Sequence, residues 1–387
     1  MSQWTILFWV TVRMTSIMLF SSTSFAAKNF LIPHIKRLSS DYHITLVCGD
    51  NDTPLDTEFQ IADIHNIKVA RKPSLSDLSS FFRCLVLLNR VRPDLVLTLT
   101  PKMSLFALIC KFLCGNKIIV GHYFTGQVWA ELSGVARYFY KSLDKISIYF
   151  LDYSLCDGLG QKKFLLIENV CSDNQISVLG SGSIVGVEIN TSTPLLKIKS
   201  SEKDAITLLF VGRLNKSKGI DDLLILFERL ISSGCKFKLL IVGPDEQGYS
   251  SKLKILMSKY PSQINYVGSV SDASKYYEIS DLLLLPSRRE GFGSVVIEAA
   301  AFSIPTVAYN IYGLEGTIIN NHTGYLINAF DLDSYFDKVK HLIEHPYKID
   351  FAGGNAFIHT TNNFSREVVT FHFKQFIDSL FLRRNLK

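Results

Sequence analysis

Asp281–Pro305 reads DLLLLPSRREGFGSVVIEAAAFSIP. Its first five residues are an apolar run stopped by Pro286, the signature of a parallel strand covered on both faces. Ser287 to Gly293 is a polar, glycine-containing turn, and Ser294 is placed to cap a helix over 295–302. Glu290 stands before the glycines and Glu298 inside the helix. In doubly wound sheets ligands collect outside the carboxyl ends of the strands, where a helix start offers unpaired N–H groups and a positive dipole end. One loop of this kind can hold an anionic group and two carboxylates that accept from hydroxyls.

Apolar strands alternating with helical stretches recur on both sides, so the fold class is α/β with parallel, doubly wound sheets. At 387 residues the chain has room for two cored domains. The Ser/Thr/Lys-biased stretch 188–203 reads as the linker. It divides an N-terminal domain, 1–190, from a C-terminal domain, 200–365, with a last helix, 366–387, apolar enough to pack back on the first. No repeat or low-complexity tract is present. A net charge of +6 suits anionic small molecules or an anionic membrane surface and argues against a nucleic-acid specialist. The seven scattered cysteines read as reduced, buried thiols of a cytosolic protein. Cys110 and Cys114, one helical turn apart, lack the further His or Cys of a metal site.

The first 27 residues allow two readings, a cleaved signal with small residues near Ala26, or a first strand over 6–12. The lack of a basic start, and Arg13 inside the apolar part, favour the strand. Met14 to Phe25 then reads as a Ser/Thr-rich loop, and 30–38 as a helix. Strands follow over 43–48, 67–70, 95–100 and 118–121, with helices over 78–91 and 104–113. Asp50-Asn51-Asp52 has the D-x-D form of metal-dependent transferases, but a polar turn after a strand is the favoured reading. Pro101-Lys102 lies at a strand's carboxyl end, and His122 opens a loop to Trp129. Helix 136–149 is aromatic and basic. It either packs in the ordinary way with solvated lysines or docks on a membrane surface.

The second half begins with strand 206–211 and the loop Gly212-Arg213-Leu214-Asn215-Lys216-Ser217-Lys218-Gly219. Helix 220–231 and strand 237–242 follow, then helix 253–260, strand 264–267 and a short helix, 271–278. After the central stretch come strand 306–309, loops at 313–315 and 323–325, helix 332–343 and the terminal helix. VGRLNKSKG (211–219), LLIVGPDEQG (239–248), YVGSV (266–270) and PSRREGFGSVVIEAAAFSIP (286–305) together resemble the family-4 retaining glycosyltransferases of the GT-B fold, two Rossmann-like domains with a cleft between them. The last segment carries that family's E-x₇-E signature as Glu290 and Glu298. Pro101-Lys102, HYFTGQVWA (122–130) and LGSGSIVGVE (179–188) look like a bacterial branch that builds surface polysaccharides, O-antigen or capsule. The first loop departs from the pattern, with Ser21-Ser22-Thr23-Ser24 where relatives carry glycines.

The resemblance implies transfer of a sugar from a nucleotide-diphosphate donor, a UDP-sugar first among them, to a polyprenyl-diphosphate-linked saccharide at the inner face of the cytoplasmic membrane. Arg213 and Lys218 would grip the pyrophosphate, where charge grows as the glycosidic bond breaks. Glu298 would accept from the ribose hydroxyls, and Glu290 would face the donor sugar. Gly291 and Gly293 would admit close backbone approach, with N–H groups of Phe292, Gly293 and Ser294 adding contacts. His122 and Lys102 would serve the acceptor side, His122 near the reacting groups. Gly182 and Ser183 read as a structural turn. With cations available at the diphosphate, metal-independent transfer without a cofactor is expected, and no nucleic acid takes part. Two other readings stay open: a UDP-sugar 2-epimerase of the same fold, against which GRL…KG paired with E-x₇-E argues, and a catalytically silent nucleotide-sugar binder. Fold alone does not separate them.

Overall fold

The computed structural model describes residues 14–49, 63–69, 76–113, 118–189 and 200–385. The chain resolves into two compact units, one of residues up to Tyr123 with Phe150–Tyr153, the other of Phe124–Tyr149 with Ser154–Lys387. Division by compactness therefore falls at Phe124, and places 124–149 and 154–189 with the second sheet.

The first sheet contains β1 (Ser16–Ser21), β2 (His43–Cys48), β3 (Asp63–Asn66), β4 (Leu95–Thr98), β5 (Ile119–Phe124) and β6 (Tyr153–Cys156), in the order β3-β2-β1-β4-β5-β6. The helices before β7 in the chain are α1 (Ser24–Phe30), α2 (Ile32–Leu38), α3 (Ser76–Val91), α4 (Pro101–Leu113), α5 (Gly134–Phe150) and α6 (Leu159–Ile167). β1 pairs in parallel with β2 and β4, and all six of its residues are buried.

The second sheet contains β7 (Ile206–Val211), β8 (Phe237–Val242), β9 (Ile264–Gly268), β10 (Leu282–Leu285), β11 (Thr306–Tyr309) and β12 (Gly324–Ile327), in the order β12-β11-β10-β7-β8-β9. Its helices are α7 (Ile220–Ser232), α8 (Ser250–Lys259), α9 (Ser274–Ile279), α10 (Ser294–Ala300), α11 (Leu332–Glu344), α12 (Tyr347–Phe364) and α13 (Arg366–Asn385). The chain runs outward from β7 to β9, returns to the middle at β10 and runs outward again. β7 and β10 pair in parallel, Leu208 opposite Leu282, so their carboxyl ends share one rim at the point where strand order reverses. That switch point is where ligands bind in such sheets. Leu282 to Leu285 are buried to within 1%, as a run covered on both faces requires. Leu223, Leu224, Phe227 and Leu230 of α7 pack into the same core.

Several expected elements lie elsewhere. A strand over 6–12 and the D-x-D at 50–52 fall outside the described residues. The expected loop 14–25 instead holds β1 and the start of α1. Its serines and threonines flank an apolar centre, and Thr23 caps α1 by accepting from Ala26 N at 3.1 Å. His122 lies inside β5, not in a loop. Gly121 reads as a strand end, but it is a packing glycine, since a Cβ there would overlap the Tyr153 ring. Pro101 and Lys102 form the first turn of α4, a position that proline favours. The expected strand at 67–70 is displaced to β3, before it. Residues 323–325, expected as loop, enter β12, where Gly324 pairs with Thr306. α12 joins none of the expected helices. Its Gly353 permits close approach to Ser303 O, a contact that no single-helix pattern reveals. Six described cysteines are unbonded to one another, and burial pushes the Cys84 thiol up to about 12.

Within the second unit, Val187 N donates to Phe364 O at 2.8 Å and Gly180 lies against His372 of α13. The terminal helix thus packs on residues 180–187.

Candidate active site

Two loops leave the adjacent rim of β7 and β10. The first begins at Gly212, whose N–H donates to Val242 O at 2.9 Å. Asn215 then folds the chain into a single 3-10 turn, its Oδ1 accepting from Lys218 N at 3.0 Å. Gly219 follows at φ 71°. It must be glycine on two counts: its backbone is left-handed, and a Cβ would overlap Pro286 O. The second loop leans on the first, and Arg288 N donates to Ser217 O at 2.9 Å.

This clasp brings Lys218 onto Glu290. Lys218 Nζ donates to both carboxylate oxygens, at 2.7 and 2.8 Å. Glu290 is 8% exposed and Lys218 19%, so the pair is largely withdrawn from water. Arg213 turns to Glu246, with Nη1 3.1 Å from Oε1, and is half exposed. Asn215 Nδ2 also reaches Glu246, at 2.8 Å. A Cβ on Gly291 would lie 2.8 Å from Thr125 O and 3.3 Å from Asp157 Oδ2, so only glycine fits between the loop and residues 125–157. Phe292 is buried against Gly158, Gly182 and Phe364. Gly293, at φ 72°, is the N-cap of α10, so Ser294 is the first helical residue and is exposed, not the cap expected for it. The left-handed turn that aims the helix takes the position a side-chain cap would need.

Glu298 is half-buried and accepts from Tyr277 Oη at 2.9 Å. Burial holds its carboxyl above the usual range, and the Tyr277 hydroxyl partly offsets this. The first unit holds the two remaining candidates. His122 is buried, with Nδ1 2.7 Å from Thr98 Oγ1. Burial lowers its ring to about 3, so the imidazole is neutral. Lys102 pairs with Asp77 at 2.9 Å.

The sequence reading missed a buried polar group around the Glu290 loop. Arg289 Nη1 donates to Gln127 O at 2.6 Å, and its Nε is 3.2 Å from Glu131. Gln161 receives a bond from Asp157 N at 2.8 Å and donates to Gln127 Oε1 at 3.2 Å. Burial pushes the Asp157 carboxyl well above its ordinary range, and its Oδ1 has no hydrogen-bond partner among the described residues. The available signal was a carboxylate and a glycine directly after a strand, Asp157-Gly158, at the start of α6. Among the described residues no cluster of three or more His, Cys, Asp or Glu side chains is placed to hold a metal ion.

Residues 193–353, from before β7 into α12, match the family model for Glycosyl transferases group 1. Those residues hold the whole second sheet, the two doubly wound sheets have the GT-B architecture, and the chain is a glycosyltransferase. It is 26% identical over 347 residues to the capsular polysaccharide biosynthesis glycosyltransferase CapM of Staphylococcus aureus, covering 87% of this chain and 90% of that one. Two solved structures share the fold. Sucrose-phosphate synthase from Thermosynechococcus elongatus aligns with a TM-score of 0.76 at 17% identity, over 95% of this chain and 100% of that one. Anabaena HepE in complex with UDP aligns at 0.74 and 16% identity, over 95% and 100% of the two chains.

Proposed function

We propose that this chain moves a sugar, with retention of anomeric configuration, from a nucleotide-diphosphate donor to a lipid-diphosphate-linked saccharide during assembly of a surface polysaccharide such as O-antigen or capsule. The observation that carries this reading is the Lys218–Glu290 pair, held by two clasped loops at the switch point of the second sheet. A UDP-sugar is the favoured donor, an N-acetylhexosamine first among the sugars to try. The UDP complex of HepE supports the base, and the capsular role in CapM's name supports the product class.

In this reading the bond from the sugar's C1 to the diphosphate breaks as the acceptor hydroxyl oxygen bonds C1, and the hydroxyl proton passes to the departing diphosphate oxygen. Negative charge grows on the departing diphosphate. Lys218, exchanging Glu290 for phosphate oxygens, and Arg213 stabilise that charge more in the transition state than before it. Glu290, relieved of its cation, accepts from the sugar hydroxyls. Glu298 accepts from the ribose hydroxyls, with Tyr277 holding its orientation. Gly291, Phe292, Gly293 and Ser294 complete the donor side, the last through its exposed position at the start of α10. His122 and Lys102 are assigned to the acceptor side, His122 as a neutral group, not a cation. The reaction needs no metal in this scheme, because side-chain cations serve the diphosphate.

The test is a screen of UDP- and GDP-sugars with lipid-diphosphate acceptors, run on wild type and Glu298→Ala. One donor turned over by wild type and lost in the variant supports the reading. Donors that bind without turnover, with acceptors proven competent on another transferase, would make the chain a binding partner instead.

A further inference from the structure

Helix α5 is mounted with its polar side inward. Its buried positions are Asp144, Ser147 and Ile148, the last packed in an apolar cluster with Trp129 and Leu165. Asp144 Oδ2 accepts from Trp129 Nε1 at 2.7 Å. One turn and two turns earlier, Lys141 and Arg137 reach Glu168 at 2.7 and 2.8 Å and lie over the Trp129 ring. The fastening of α5 to its unit is thus the apolar contact of Ile148 together with a network of polar and cation–π contacts around Trp129, which itself stacks on Phe164.

The apolar side faces water. Val135 is 85% exposed, Tyr138 75%, Phe139 56%, Ile146 50% and Tyr149 72%. These positions recur at intervals of three, four and seven residues and form one stripe along the helix. In an ordinary packed helix they would be the core face. Lys145 is exposed within the stripe, while Asp144, the only acidic residue of α5, is on the inner side. The outward face is therefore aromatic, aliphatic and positive, with no negative charge.

We infer that the outer face of α5 seats this protein on an anionic lipid surface, the Tyr138, Phe139, Ile146 and Tyr149 side chains entering the headgroup boundary and Lys145 meeting lipid phosphates. Tyrosine, phenylalanine and lysine are the residues that occupy such a boundary, with apolar bodies and polar tips. The charge pattern selects this occupant over a second copy of the chain. A two-fold pairing of the stripe would bring in no acid to meet Lys145. No described helix is long and apolar enough to cross a membrane, so the association is along the surface. The inference goes beyond the transfer reaction and does not depend on it, since a chain that bound no donor would still partition onto vesicles.

The test is flotation of the full chain with phosphatidylglycerol/phosphatidylethanolamine vesicles and with phosphatidylcholine vesicles, at low and high salt. Wild type is expected to float with the anionic vesicles, less so at high salt. Lys145→Glu is expected to weaken that binding on the order of tenfold. Tyr138→Ser/Phe139→Ser, at positions already exposed, is expected to reduce it by roughly tenfold or more with an unchanged circular dichroism spectrum. Ile358→Ser, at an exposed apolar position of α12, is the control that leaves binding intact. Wild type that stays with the soluble fraction, or a double variant that floats as well as wild type, would overturn the inference. So would a wild-type dimer that the double variant dissolves while neither binds lipid.

Discussion

Replacing Lys218 by Met strands Glu290. Two unit charges 4 Å apart attract by about 4 kcal/mol at an effective dielectric of about 20, and more at closer range. Withdrawing both from water cancels much of that gain. Removing one member of a buried pair is the costly change, about 3–5 kcal/mol when burial is complete. Lys218 keeps 19% of its side-chain exposure, which places Lys218→Met at roughly 2–3 kcal/mol. At about 2–4 °C per kcal/mol for a unit of this size, the melting temperature should fall by about 4–12 °C. Glu290→Gln should cost a similar amount, since it leaves the ammonium without its carboxylate. The double variant removes both charges and should lose much less than the sum, giving a coupling of about 2 kcal/mol in a double-mutant cycle. Thermal and urea melts of the four proteins measure it. A second arm adds the nucleotide. Nucleotide at one hundred times its Kd should stabilise wild type by about 2.7 kcal/mol and Lys218→Met by much less at the same concentration. Single-variant effects that add to within about 0.5 kcal/mol would show that the pair is not an energetic unit and refute the reasoning.

Other outcomes follow from the same geometry. Gly291→Ala puts a Cβ 2.8 Å from Thr125 O, a backbone atom that cannot swing aside. It should cost about 1–3 kcal/mol and reduce turnover, measured by melting and by donor consumption. Asp157 holds its proton in the folded chain above the pH at which the unfolded chain loses it, so its contribution is present in acid and declines as pH rises past the ordinary aspartate value. Asp157→Asn should therefore stabilise more at pH 8 than at pH 5, and equal gains at both would contradict a buried, protonated acid. Tyr277→Phe removes the hydroxyl that offsets the burial of Glu298. The pH below which nucleotide binding fades should move upward in that variant, and an unmoved profile in titrations from pH 5 to 8 would separate Glu298 from binding.

The second sheet was largely legible from sequence because its signals are local. Ile206 to Val211 is an unbroken apolar or β-branched run and Phe237 to Val242 one interrupted only by Lys238, each closed by glycine, and the structure ends them at the same residues. The spacing of Lys218, Glu290 and Glu298 was readable too, but the pairing of Lys218 with Glu290 was not. It depends on strand order, which brings β10 back beside β7, and on Gly219 tolerating Pro286. Glycine was the chief source of error. Gly121 read as a strand end and Gly324 as part of a loop, yet each is a close approach inside a sheet, set by a distant neighbour that one-dimensional spacing does not carry. Proline misled once, since Pro101 starts α4. The amphipathic character of α5 was visible, but which side faces inward was not, because the inner face is set largely by Trp129 and Glu168, with Ile148 its one buried apolar residue. Asp157 escaped for the same reason: its neighbour Gly291 lies far away along the chain.

The most direct test of the central claim is calorimetric titration of UDP and UDP-sugars into wild type, Lys218→Met, Glu298→Ala and Lys145→Glu. The site described here predicts one nucleotide per wild-type chain, binding weakened about tenfold or more in the Lys218 and Glu298 variants, and unchanged binding in the Lys145 variant. A folded wild type that binds no UDP- or GDP-linked ligand, or Lys218 and Glu298 variants that bind as tightly as wild type, would contradict the assignment of the nucleotide to the loops of β7 and β10.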